Sequence, residues 1–493
     1  MSLVETEMLG LLALTLPLER FMDQRGVPHA RLPDAARPCV PLRSNAFEVW
    51  AAGAYYKQFG QAFTSPQALR AATRTLEALA LKEGTVHRME PRIATRGDGS
   101  ILVDLKDAAG RAVVVTPDGW HIDPEGGRFR RLDHMLALPE PERGGDLREL
   151  AKFINVSTSD FMLLSVYAVL TLVRGIPRPM LLFYGPAGAA KTSAANWVRD
   201  LVDPTTARSL AIQTSERELA LAVDQHALPT FDNVTRFSRE IADALCRVCT
   251  GGSFSKRRLR TDEDVVLLEY LRPLMVTAIN PPTDATDLVD RMLMLELKRV
   301  PDSERKTMAE LNAAFELERA KLTGAILTAL SFVLREQEKY NHLGNLGRLA
   351  DFHRLGRVAA VALGYTVEDF DKAFNEKTLT QSWTAAEDDG VARLISDMLN
   401  SPDRKPLGYF EGSMTELHED LLRRAKGIQR KALPKKSAAL GKRVREVQPV
   451  LIRLGISTTF ATVTKQGRRI TLTAPSAVSV PAVTPEGPEI TPT

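Results

Sequence analysis

Pro179-Met-Leu-Leu-Phe-Tyr184 runs without a break into Gly185-Pro-Ala-Gly-Ala-Ala-Lys191-Thr192-Ser193, and residues 194–201 continue as a helical run. An apolar stretch closed by a Gly-rich turn and reopened by a helix is the order of a phosphate loop. The candidate binding positions are Gly185, Gly188, Ala189, Ala190, Lys191, Thr192 and Ser193. Their backbone N–H groups and the positive end of the following helix would cradle phosphates. Lys191 would reach the β and γ oxygens of ATP, and the Thr192 hydroxyl would hold Mg2+. Ala190 stands where the pattern has its second glycine. Ordinary helical dihedrals are expected there, which a methyl group tolerates.

Three more stretches follow in an order that suits the same chemistry. Ala227-Leu-Pro-Thr-Phe-Asp232-Asn233 is a short apolar run ending in a carboxylate, and Asp232 is placed to bind the Mg2+ hydration shell. Residues 272–280 form another strand of buried type, ending at Asn280, which would orient the attacking water or sense the γ-phosphate. Arg291, after Asp290, would project as an arginine finger into a neighbouring subunit. Each residue type also has an ordinary use, as a turn residue, a helix cap or a surface ion pair. Their spacing downstream of Lys191 favours catalysis. Strands alternate with helices, so the fold class is α/β: a parallel sheet covered by helices.

With these residues in place, the chain resembles the helicase-like ATPases of phages, plasmids and integrated elements that accompany primases. It is similar to superfamily 3 helicases within the AAA+ class. The resemblance also takes in residues 244–263, where Lys256, Arg257, Arg258 and Arg260 match in position and charge a basic hairpin that contacts DNA in a central channel. It implies an AAA+-like core with a helical lid, ATP and Mg2+ as cofactors, and single-stranded or forked DNA as partner. It also implies a homo-hexameric ring, a separate primase or polymerase nearby, and a cytoplasmic location. One departure matters. The AAA+ pattern has Glu after the strand-end Asp and this chain has Asn233, which cannot take a proton as a general base, so it either only positions water or leaves hydrolysis slow. That keeps open an ATP-gated initiator or loader with weak hydrolysis. A chaperone-like remodeller is the third reading, and it gives no reason for the basic C-terminal region.

Composition bounds the rest. A chain of 493 residues with 44% hydrophobic content is globular and long enough for two to four domains, and a net charge of +4 is modest. Three cysteines, Cys39, Cys246 and Cys249, make no disulfide framework and point to a reducing compartment. The C-x-x-C pair lacks a second pair to complete a zinc site, so helix packing is expected. Glu5 and Glu7 make the N-terminus a poor signal peptide, and the apolar run 161–173 falls short of the roughly 17 residues a membrane helix needs. No membrane is implied.

The expected domains are an N-terminal α+β module (1–140), the ATPase core (146–300), a helical lid and connector (301–400), a winged-helix-like basic domain (401–475) and a disordered tail (476–493). In the first module a helix is expected over 67–82 and strands over 101–105, 112–116 and 119–122, with Asp104 and Asp107 at strand ends facing solvent. Residues 1–38 read as one helical stretch and a loop. In the lid, Arg348 and Arg354 are candidate second sensors. In the basic domain a helix over 437–454 precedes two β-like runs, and Lys435, Lys436, Lys442 and Arg443 are the expected DNA contacts, beside further cations such as Lys465 and Arg468.

Overall fold

The computed structural model describes residues 2–474, except 35, 258–264, 270, 284, 302, 304, 341–343, 345, 348, 389, 404–405, 426–429, 431–432 and 461–468. Residues 253–257, 265–269, 286, 378–388, 449 and 453 are described by backbone alone. The tail 476–493 and the expected functional residues Arg258, Arg260, Arg348, Lys465 and Arg468 therefore lie outside the described residues. Contacts divide the chain into two compact units, 1–283 with 291–377 and 284–290 with 378–493.

At the centre of the first unit is a four-stranded sheet in the order Thr230–Phe231, Met275–Ala278, Met180–Tyr184, Met292–Glu296. All three pairings are parallel, with Leu181 opposite both Met275 and Leu293. Leu181, Leu182 and Phe183 are fully buried. A parallel sheet needs cover on both faces, and helices supply it. One is Thr158–Leu170, capped by the Ser157 hydroxyl and buried at every position from Asp160 onward. The apolar run read as too short for a membrane is thus a core helix. Lys191–Val202, Met308–Glu336 and Ala350–Ala362 add residues to the same core. The longest of them starts on a capping box, Thr307 with Glu310, which satisfies two N-terminal N–H groups reciprocally. At the edge of this sheet Leu210 adds a single parallel bridge beside Phe231.

The N-terminal segment contributes two further sheets. Ile93–Thr95, Ile101–Asp104, Ala112–Thr116 and Gly119–Asp123 form an antiparallel meander, as the alternating pattern predicts. Asp104 corrects the sequence reading. It is fully buried, because the strand end is covered by the segment around Arg131, whose Nε and Nη2 donate to its carboxylate at 2.9 and 2.5 Å. Residues 1–38 also hold more than a helix and a loop. Glu19–Asp23 and Pro28–Arg31 join Cys39–Pro41 and Val86–His87 in a second small sheet, while Leu3–Thr15, Asn45–Phe59 and Pro66–Glu83 are helices.

The second unit packs the helices Gly390–Leu399, Met414–Arg424 and Ser437–Arg453 with an antiparallel sheet ordered Tyr409–Ser413, Arg469–Thr473, Ser457–Phe460. Its core is built from Leu417, Leu440, Val444, Leu451, Ile470 and Leu472. Amphipathic spacing makes this possible: Leu440, Val444, Val447 and Leu451 recur every three or four residues along one face of the last helix.

Candidate nucleotide site

The loop 185–190 leaves the central strand at its C-terminal end, where ligands of open parallel sheets bind. Gly185 has φ +141°, and a Cβ there would sit 2.3 Å from the Leu297 carbonyl oxygen, so only glycine fits. Ala190 overturns the expectation of helical dihedrals. Its φ of 59° and ψ of 28° are left-handed, at the N-cap of Lys191–Val202, with no side-chain cap. The chain must reverse there to aim the helix at the loop, and a non-glycine residue in that region costs on the order of 1–2 kcal/mol.

Lys191 Nζ donates to the carbonyls of Gly185 and Pro186, each at 2.9 Å, so the ammonium sits folded over its own loop. Partial burial pulls its pKa below the ordinary lysine range, and the nearby Asp232 carboxylate opposes that shift. The Thr192 hydroxyl donates to Asp232 Oδ1 at 2.8 Å. Two strands meet here through Thr277, a residue that no sequence pattern singles out. Its Oγ1 also donates to Asp232 Oδ1, and accepts the Asn233 N–H at 2.9 Å. Asn233 is exposed and left-handed, with φ +52°. The donor set of one hydroxyl and one carboxylate at an open rim suits a hydrated Mg2+, which prefers oxygen and keeps several waters.

Beside the loop lies a cleft of about 740 Å3, within the range that encloses a small organic ligand. The backbone segment 151–156 forms one wall, and Val300, Arg305, Lys306 and Met308 form the other. Phe153, Trp197 and Phe315 make an aromatic cluster at its side, with ring centroids 5.5 to 6.2 Å apart. Arg305 is the other residue missed from sequence. Its guanidinium lies 3.5 Å from where a Cβ on Gly188 would stand, directly over the phosphate loop. The only signal was a basic pair, Arg305-Lys306, just ahead of a capping box.

The remaining expected residues fall in different places. Asn280 is exposed just beyond Ile279, whose carbonyl accepts the Gly185 N–H at 3.2 Å, so it belongs to the same crest as the loop. Arg291 does not. Its carbonyl accepts the N–H of Met180, at the start of the central strand, and its Nη1 lies 3.6 Å from Cys246 Sγ. Cys246 and Cys249 share the helix Arg239–Thr250, and burial pushes the Cys249 thiol up to about 12. Lys256 and Arg257 lie on Ser253–Arg257, which pairs antiparallel with Val265–Glu269. That is a hairpin at backbone level. In the second unit Lys435, Lys436 and Lys442 are exposed, Lys436 is the N-cap residue of the helix Ser437–Arg453, and Arg443 pairs with Glu446 at 3.1 Å. Among the described residues no His/Cys/Asp/Glu cluster could hold a metal ion by itself, and no helix is long and apolar enough to cross a membrane.

Two family models match this arrangement. One, the actinomycete integrative conjugative element replication protein, covers residues 146–375, and its C-terminal domain model covers 391–486. Together they span about two thirds of the chain. The chain belongs to the replication-protein family of actinomycete integrative conjugative elements. Replication of a mobile element is therefore the setting of the phosphate loop and of the basic unit alike. Among solved structures, this replication protein is similar to two apo forms of the NrS-1 C-terminal region (305–718), one of them the A form. Both are 10% identical and cover 94% of this chain and 98% of that one, with TM-scores of 0.42 and 0.41. No curated protein matches.

Proposed function

We propose that this replication protein is an ATP-driven DNA translocase or helicase of the AAA+ class, related to superfamily 3 helicases and working as a hexameric ring. The observation that carries the reading is the joining of Thr192 to Asp232 at 2.8 Å across the mouth of a phosphate loop whose lysine is already in position. In this reading the loop N–H groups bind the phosphates, and Lys191 exchanges its two carbonyl partners for β and γ oxygens. Arg305 adds a second cation from the other side of the cleft. Thr192 and Asp232 would hold Mg2+, which supplies charge neutralisation between the phosphates. Asn280 would orient the attacking water. The base would enter the 740 Å3 cleft beside segment 151–156.

The C-terminal unit supports DNA as partner. Lys435 and Lys436 stand at the N-terminus of a helix, where the dipole disfavours cations unless an anion is shared, and a backbone phosphate satisfies both. Helix and strands in this order also support the winged-helix reading.

Lys191→Ala should lose ATP turnover, because the phosphate charge loses its cation inside a preorganised loop. Steady-state turnover with and without single-stranded DNA, set beside strand displacement on a forked duplex, tests the whole proposal. Turnover in Lys191→Ala equal to the parent's would sink it. One observation favours a second reading, an ATP-gated initiator: Asn233 brings no carboxylate next to Asp232, and its N–H is committed to Thr277. That version predicts tight ATP binding, slow turnover and no strand displacement.

A further inference from the structure

Away from the phosphate loop, three arginines from distant parts of the first unit converge on one buried carboxylate. Glu90, 3% exposed, accepts Arg88 Nε at 2.7 Å on one oxygen, and Arg174 Nη2 at 2.7 Å and Arg272 Nη2 at 2.5 Å on the other. The four side chains line a pocket of about 340 Å3, together with Ala94, Thr95, Gly175 and Leu271. Arg272 is 5% exposed, and its Nε lacks a hydrogen-bond partner. A buried N–H left unmet carries the full cost of its lost hydration, a deficit that a ligand oxygen would remove.

The pocket's place in the fold says which ligand. Leu271 and Arg272 follow the hairpin strand Val265–Glu269, so the pocket lies at the hairpin's foot. Arg272 also precedes the strand Met275–Ala278, which puts the pocket at the opposite end of the sheet from the phosphate loop. Guanidinium forks from separate elements recognise the paired oxygens of phosphate better than they recognise any neutral group.

We propose that the Arg88, Arg174 and Arg272 pocket binds a phosphate group, and that the group belongs to single-stranded DNA passing the foot of the hairpin. Glu90 holds the three guanidinium groups in place when no phosphate is bound. The site shares DNA with the function proposed above and is independent of ATP chemistry.

The test uses the full chain without nucleotide. Binding of a fluorescein-labelled oligo-dT is followed by anisotropy over a salt series, for the parent and for Arg88→Ala/Arg174→Ala. These two arginines are the more exposed members, so the buried Glu90–Arg272 pair survives their removal. Each phosphate no longer neutralised should lower the log–log salt slope by about 0.7 and weaken binding several-fold. A parental slope and affinity in the folded double variant would overturn the proposal, whatever becomes of the ATPase reading. If the double variant does not fold, Arg88→Lys/Arg174→Lys replaces it, since removing the planar forks while keeping charge should still weaken binding. Orthophosphate, set against chloride at matched ionic strength, separates the sources by thermal unfolding. If it stabilises the parent alone while DNA binding is equal in both proteins, a small phosphorylated ligand is the occupant and the DNA assignment falls.

Discussion

Asp232 owes its orientation to two hydroxyls, and they come from opposite directions in the sequence. Thr192 reaches it from the phosphate-loop helix, and Thr277 from the strand between Asp232 and the loop. Thr277→Val keeps the shape and removes both of that hydroxyl's bonds, leaving the Asn233 N–H unmatched. A destabilisation of about 1 kcal/mol is expected in urea unfolding, the usual net contribution of a hydrogen bond whose partner can turn to water. Turnover should fall while the ATP concentration for half-saturation stays close to the parent's, because the loop itself is untouched. A variant as stable and as active as the parent would show that Asp232 is positioned by Thr192 alone. Lys191 and Thr192 are legible in the sequence because a phosphate loop is contiguous, each residue defined by its neighbours. Thr277 is not, because its role exists only once two strands 45 residues apart lie side by side. Ala190 misleads for a related reason: its dihedrals follow from where the helix must point, which no local pattern states.

At the scale of elements, the helix that follows the loop is tied to the Asp232 strand by a buried histidine. Arg199, on Lys191–Val202, donates through Nη1 to the Ala207 and Arg208 carbonyls, and its Nη2 lies 2.9 Å from His226 Nδ1. A guanidinium only donates, so His226 Nδ1 must accept and the ring must be neutral. Burial, reinforced by Arg199, holds its pKa down at about 3, against 6.5 for a free imidazole. The unfolded chain therefore binds a proton that the folded chain refuses. The resulting stability is fully present above about pH 6.5 and is lost progressively as pH falls toward the folded value. Urea midpoints at pH 7.5 and 5.5 should differ more for the parent than for His226→Gln, which keeps an acceptor and cannot titrate. Equal pH dependence in the two would assign the loss to other groups. Long amphipathic helices and the parallel sheet are readable because periodicity is a local property. The strand Tyr409–Ser413 escapes such a reading, since it becomes a strand by pairing with Arg469–Thr473 far along the chain. The small N-terminal sheet escapes it because its members are two to five residues long and one begins with proline.

For the whole molecule the question is whether one chain makes a complete site, and Arg291 bears on it most directly. It precedes Met292, which pairs with Met180 at the start of the central strand, whereas Gly185 begins the phosphate loop at that strand's other end. Five residues of strand at about 3.3 Å each put more than a side chain's length between Arg291 and its own loop. An arginine that acts on phosphate from there acts on another subunit's. Arg291→Ala should then bind ATP like the parent and hydrolyse it far more slowly, since arginine fingers contribute about 10³ to 10⁵ in rate. In that arrangement Lys191→Ala would fail at the other half of the same composite site. Mixed at equal ratio, the two inactive proteins should recover part of the parental turnover, because some neighbours pair an intact loop with an intact arginine. Recovery should grow with protein concentration as assemblies form, and should be absent when either variant is assayed alone. If the two co-assemble by light scattering and turnover stays at zero, the composite site is wrong, and Arg291 serves the structure of its own subunit, where its Nη1 lies 3.6 Å from Cys246 Sγ.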